Sequence, residues 1–384
     1  MSRRTTSASL LLAVTVLAAG CGSAARQAGA PAASAPPPSL STSLVTATGT
    51  WAVAVMGGSA AEHNNFWQLF VRPAGTGRWR LATPPGVASN GGLVVAGLGA
   101  GSVVAGFRPS QDLSFSPLAT TRDNGTAWTP GLVDAALADV PDALAAAPGG
   151  GHLLALLASG QAELSGPGGT AWTRLATRRA LAASAAGGRC GLGSLTAATF
   201  SPSGVPMLAA SCARPGAAGV FAYASATWHP AGPTLPASYA RQHVTVLRLT
   251  TTAGTTMALL AAGTGAAARL LAAWSTDSGA HWALSQPLPL RGAKLTSASS
   301  GFGGTVAVVL TGNHAQTITR PAGSWRPLPA LPPGTVTLAP GPTGGWDALA
   351  VHSTRLTVWQ LQPGSAGWAA TQTISVFIQF GSSG

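Results

Sequence analysis

The nine residues Trp274 to Trp282, W-S-T-D-S-G-A-H-W, hold Ser275, Asp277, Gly279 and Trp282 in the spacing S-x-D-x-G-x-x-W. The same spacing recurs in T-R-D-N-G-T-A-W as Thr121, Asp123, Gly125 and Trp128. Each stretch lies between two runs of strand-forming residues, so each reads as the corner of a β-hairpin. The Asp carboxylate folds back to accept from nearby backbone N–H groups. Gly supplies a positive φ, and the Trp anchors the strand that follows.

Outward from these corners the chain repeats itself. A strand-like run, a small polar corner and a Trp occur in turn at Trp79, Trp128, Trp172, Trp228, Trp282, Trp325 and Trp368. The intervals are 49, 44, 56, 54, 43 and 43 residues, a period that predicts the blades of a β-propeller. Five corners lack the Asp, as in G-T-G-R-W (75–79) and G-S-A-G-W (364–368), but their small residues still permit the turn. Each unit divides into four strands, A to D. In the fifth these are 244–252, 256–263, 269–276 and 281–288. The expected fold is therefore all-β: a seven-bladed β-propeller of four-stranded blades over residues 44–384, each blade burying its faces against its neighbours. Two β-sandwiches in series would explain the alternation within strands but not the regular Trp corners. The stretch 133–144, D-A-A-L-A-D-V-P-D at its centre, reads as a short helix between blades.

The corner spacing resembles the Asp-box, or BNR repeat, of sialidases and other β-propeller proteins. It is strict at two corners, and the repeat pattern runs from residue 44 to about 380. The chain is also similar to the propeller lipoproteins of high-GC Gram-positive bacteria. The resemblance implies a structural role for the corner residues. It also implies a ligand on the face built from the B–C turns and D–A connections, around the central channel. A sialidase would need three Arg to grip a carboxylate, a Tyr nucleophile assisted by Glu, and an Asp acid/base. The chain has two Tyr, Tyr223 and Tyr239, and two Glu, Glu62 and Glu163. Its nearest match to the family's F-R-I-P motif, Phe70-Val71-Arg72-Pro73, ends a third strand. Sialidase chemistry is not expected.

The beginning of the chain reads as an export signal. Arg3 and Arg4 precede an apolar run from Leu10 to Ala19, and L-A-A-G-C (17–21) resembles a bacterial lipobox. That resemblance implies a signal peptide over residues 1–20, lipid on Cys21, and anchorage to the outer face of the cell membrane. The Ala/Pro/Ser-rich stretch 21–43 reads as a tether. In an exported chain the two remaining cysteines, Cys190 and Cys212, are expected to pair. No cofactor motif or metal-ligand spacing stands out. Asp134, Asp139 and Asp142 read as solvated or capping residues rather than calcium ligands.

The chain has 21 basic residues, all Arg but Lys294, against nine acids, for a net charge of +12. The excess comes from scarce acids and scattered Arg, which does not predict nucleic-acid binding. On the B–C and D–A face the polar candidates are Glu62 and His63 in the first B–C loop and Arg108 and Asp112 around the second. Were the protein an enzyme, a glycosidase or lyase, these four would be its catalytic set. The favoured reading is a monomeric, non-catalytic binding propeller at the cell envelope. Its partner would be a protein, peptide or glycan, with the lipid as its only membrane contact. An assembly factor for a membrane complex is a further alternative.

Overall fold

The computed structural model describes residues 42–57, 65–85, 91–99, 101–108, 114–319 and 323–377. The expected signal peptide and Cys21 lie outside the described residues, as does the tether before Thr42. So do Glu62, His63 and Asp112.

The strands follow the repeat. The first sheet contains β1 (Ser43–Thr46), β2 (Gly49–Gly57), β3 (Asn65–Pro73) and β4 (Arg80–Leu81). The second contains β5 (Leu93–Gly99), β6 (Ser102–Phe107), β7 (Ser116–Thr121) and β8 (Thr129–Val133). The third contains β9 (Leu144–Ala146), β10 (Leu153–Leu156), β11 (Gln161–Ser165) and β12 (Trp172–Thr177). Two short helices follow, α1 (Arg178–Ala183) and α2 (Ala185–Cys190).

Next come β13 (Leu192–Phe200), β14 (Pro206–Cys212), β15 (Gly219–Ala224) and β16 (Thr227–Pro230). After them run β17 (Val244–Thr252), β18 (Thr255–Ala262), β19 (Arg269–Ser275), β20 (Ala283–Leu284) and β21 (Leu288–Pro289). These nine strands form one sheet, in which two meanders join where Ser211 of β14 pairs with Thr245 of β17. The next sheet contains β22 (Leu295–Ser300), β23 (Val306–Leu310), β24 (His314–Ile318) and β25 (Arg326–Pro327). The last contains β26 (Thr335–Pro340), β27 (Trp346–His352), β28 (Arg355–Leu361) and β29 (Ala369–Ser375).

Apolar faces meet between successive meanders. Trp51 and Leu69 of the first sheet pack on Val103 and Phe107 of the second. Met257 and Trp274 pack on Val306 and Val308 of the following sheet. The circuit closes where Ala54 and Phe70 of the first sheet meet Leu349 and Val358 of the last. Strands such as β18, covered on both sides, are apolar almost throughout, as burial on both faces requires. The molecule is a β-propeller.

The two Asp-bearing corners are satisfied locally. Thr121 Oγ1 donates to Asp123 Oδ1 at 2.8 Å and accepts from Gly125 N at 2.8 Å, while Ala127 N donates to Asp123 Oδ1 at 2.9 Å. Ser275, Asp277, Gly279 and His281 repeat this arrangement. Gly125 and Gly279 have φ of +83° and +91°, where side chains are strained. A Cβ on Gly279 would lie 2.7 Å from the carbonyl oxygen of Ala231.

Three of the Trp that end a corner donate back to the preceding meander. Trp282 Nε1 donates to the Ala231 carbonyl at 2.8 Å, Trp325 Nε1 to Gln286 at 2.9 Å, and Trp368 Nε1 to Pro329 at 3.3 Å.

Two local expectations change. Residues 133–144 form no helix. Ser116 Oγ accepts from Leu137 N at 2.9 Å, and Leu137 bridges to Leu157, which ties the segment down as an irregular connection of bends and turns. The helices lie instead at 178–190, where Thr177 and Ser184 cap the α1 and α2 N-termini through their hydroxyls.

Candidate functional site

The innermost strand of each meander lines the axis, and a cavity of about 340 Å³ opens there. Its wall includes Thr46, Gly97, Ala145, Ala198, Thr250 and Ser300. Its mouth is formed by A–B turns, among them those at Ala47, Gly149 and Ala253. A second cavity of about 680 Å³ shares Thr46, Thr250, Thr252 and Ser300 with it and extends toward Met257, Trp274 and Thr305. The cavities thus lie at the A–B end of the axis. The resemblance implied a ligand at the opposite, B–C and D–A, end, where the loops 58–64 and 109–113 lie outside the described residues.

The floor is a buried ion pair. Arg248 Nε lies 3.0 and 2.8 Å from the two Asp142 oxygens, and Nη2 lies 2.6 Å from Oδ1. Nη1 donates to Thr42 Oγ1 at 3.0 Å and to the Ala298 carbonyl at 2.7 Å. Leu249 N donates to Asp142 Oδ2 at 2.9 Å. Both residues are buried. Arg248 sits at a register shift in β17, between Val246 and Arg248, which turns its side chain onto the axis. Four elements from four parts of the ring meet at this one guanidinium. With these partners made, the floor carries no net charge. The cavity presents hydroxyls, backbone and small apolar groups, a lining suited to a neutral ligand that hydrogen-bonds.

The expected site residues are placed as follows. Arg108, just past β6, is buried. Its Nη1 donates to Asp139 Oδ1 at 2.7 Å and to the carbonyls of Ala138 and Val140. Burial lowers its pKa, with Asp139 countering; burial also raises that of Asp139, with Arg108 countering. Arg108 therefore pins the connection between the second and third sheets. The three acids Asp134, Asp139 and Asp142 have separate fates: Asp134 is exposed, Asp139 holds Arg108 and Asp142 holds Arg248. They cap no helix. No group of three or more His, Cys, Asp or Glu among the described residues is placed to hold a metal ion.

Tyr239 is buried in the core between β14 and β17, and burial raises its pKa. Arg72 of the F-V-R-P string is buried against Asp347. Cys190 and Cys212 form a disulfide that ties α2 to the end of β14. Of the Trp outside the corner series, Trp51, Trp67, Trp274 and Trp346 are buried, and Trp359 packs into a core cluster. All five pack within the core clusters of the blades. Residue chemistry alone did not single out Arg248 or Asp142 as a pair. The one signal was an Arg within an otherwise apolar and threonine-rich inner strand.

No protein-family model matches the sequence, and no curated protein matches it. Solved structures do. The GH74 xyloglucanase from Xanthomonas campestris aligns with a TM-score of 0.58 at 13% identity, over 88% of this chain and 54% of that one. This chain therefore spans about half of the xyloglucanase's length. A protein from Lactobacillus plantarum aligns with a TM-score of 0.50 at 12% identity, over 85% of this chain and 96% of that one. The WD40 β-propeller domain of Doa1 aligns at 0.49 and 10% identity, over 83% and 92% of the two chains. At such identities the likeness is one of fold.

Proposed function

We propose that this chain is a non-catalytic propeller of the Asp-box, sialidase-like kind that binds a neutral peptide or glycan segment at the A–B mouth of its axis. The nine-stranded sheet counts as two blades, giving seven. The protein is exported and held on the outer face of the cell membrane by lipid on Cys21, with the following stretch as its tether. The observation that carries the binding reading is the neutralised floor. Arg248 and Asp142 spend their hydrogen bonds on the protein, beneath a cavity lined by threonine and serine. The other buried acid among the described residues, Asp347, is likewise held by Arg72 and Trp79. Acid–base chemistry needs a carboxylate free to meet a substrate.

The test is titration calorimetry of the full chain with chitohexaose, a xyloglucan oligosaccharide and a short Ser/Ala peptide. Binding of one of them, lost in Thr252→Trp at the rim without a change in melting temperature, supports the reading. No heat with any of the three would sink it. Release of reducing ends from the glycans, abolished by Glu62→Gln or Asp112→Asn, would replace it with the glycosidase alternative. Incorporation of labelled palmitate, lost in Cys21→Ser, tests the anchor.

A further inference from the structure

We propose that the B–C and D–A end of the propeller, from α1 to β28, docks directly on an anionic phospholipid surface. This goes beyond a lipid anchor and does not depend on the ligand assigned to the opposite end.

Charge is the first argument. After Glu163 the chain has only two acids, Asp277 and Asp347. Asp277 lies in a C–D corner at the far end of its sheet, and Asp347 is buried. The cations in this part of the chain gather at the near end. Arg189 lies in α2, Arg214 in the β14–β15 loop, and Arg241, Arg291 and Lys294 in connections between meanders, while Arg355 opens β28. All six are exposed, and none makes an ion pair among the described residues. Described acids in the connections at this end are Asp134, Asp139 and Asp142, all between the second and third sheets, and the last two are paired with Arg108 and Arg248. The cations are spread over several meanders. Such a layout fits a surface of many mobile charges better than one compact anion. Arg189 and Arg214 line a single depression with Pro236 and Ala240, which suits a phosphate headgroup.

Exposed aromatic surface is the second argument. Phe377, directly after β29, is 87% exposed. The preceding residue is tied to the same end, since Val376 N donates to Thr354 O at 2.8 Å, next to Arg355. An exposed ring beside cations matches a bilayer interface, where the ring enters the headgroup layer and Arg meets phosphate. A soluble polyanion gives the ring no such partner.

The experiment is sedimentation of the full chain with vesicles of phosphatidylcholine, with and without phosphatidylglycerol, at low and high salt. The anionic vesicles should bind it at least about tenfold better at low salt, and the preference should collapse at high salt. Arg214→Glu/Arg241→Glu/Arg291→Glu should abolish the preference, and Phe377→Ser should weaken binding severalfold. Arg78→Glu/Arg122→Glu/Arg326→Glu, an equal charge change at the C–D end, should leave it intact. Equal binding to both vesicle types would overturn the proposal. So would equal loss in the two triple variants, which would assign the effect to net charge. Heparin binding that matches vesicle binding and ignores Phe377→Ser would replace the bilayer with a soluble polyanion.

Discussion

Trp79 Nε1 of the first sheet donates to Asp347 Oδ2 of the last at 2.8 Å. At Trp282, Trp325 and Trp368 the corner Trp meets a carbonyl of the preceding meander, but here it meets a buried carboxylate that also holds Arg72. Gln372 adds a second clasp, accepting from Trp79 N at 2.8 Å and donating to Trp79 O at 2.7 Å. The chain thus closes its ring with polar groups where the two ends of the repeat meet.

This closure makes stability depend on pH. Burial pushes the Asp347 carboxyl up to about 6, against the opposing pull of Arg72 and Trp79. A folded pKa above the unfolded value means the native state holds its proton longer. Its contribution is therefore greatest below pH 4, falls as pH rises from about 4 to 6, and is level above that. Urea unfolding at a series of pH values should show this fall in the wild type and a flatter course in Asp347→Asn. Parallel curves would refute it.

Asp277 behaves in the opposite sense. The backbone N–H of His281, then its ring, hold the carboxyl at about 2, with Ser275 adding a further bond. This contribution is present above pH 4 and lost as pH falls toward 2. Carboxyl titration by NMR should find Asp277 well below the usual range, and His281→Ala should move it up. A value near 4 in the wild type would contradict the corner geometry.

Asp142→Leu or Arg248→Met alone should cost about 3–5 kcal/mol, because each leaves a buried charge without its partner. The double variant should recover part of that loss. Denaturant midpoints for all four proteins check this, and strictly additive losses would show that the two residues do not act as a unit.

Reduction of the Cys190–Cys212 bond, which spans 22 residues, should lower stability by about 3 kcal/mol in the chain-entropy account. Cys190→Ser/Cys212→Ser should unfold at lower urea and lose its sensitivity to reductant. An unchanged midpoint would mean the bond does not constrain the unfolded chain.

Much of the architecture was readable in the sequence because it rests on local forces. Thr121 with Asp123 and Ser275 with Asp277 meet partners within four residues, so the corners declare themselves in the spacing. Strand burial likewise leaves its mark in apolar runs such as Met257–Ala262. The candidate site was not readable in this way. Arg108, a catalytic candidate only were the protein an enzyme, pins a connection. Asp142 was expected at a helical turn and instead meets Arg248, 106 residues away, while Arg72 meets Asp347 across 275. The segment 133–144 has helical composition, yet Ser116 and Leu157 tie it down as an irregular connection. A hairpin corner is decided by neighbours along the chain, whose positions covalent geometry already constrains. A buried charge is decided by whichever opposite charge the closed ring brings within reach, and that is a property of the tertiary structure alone.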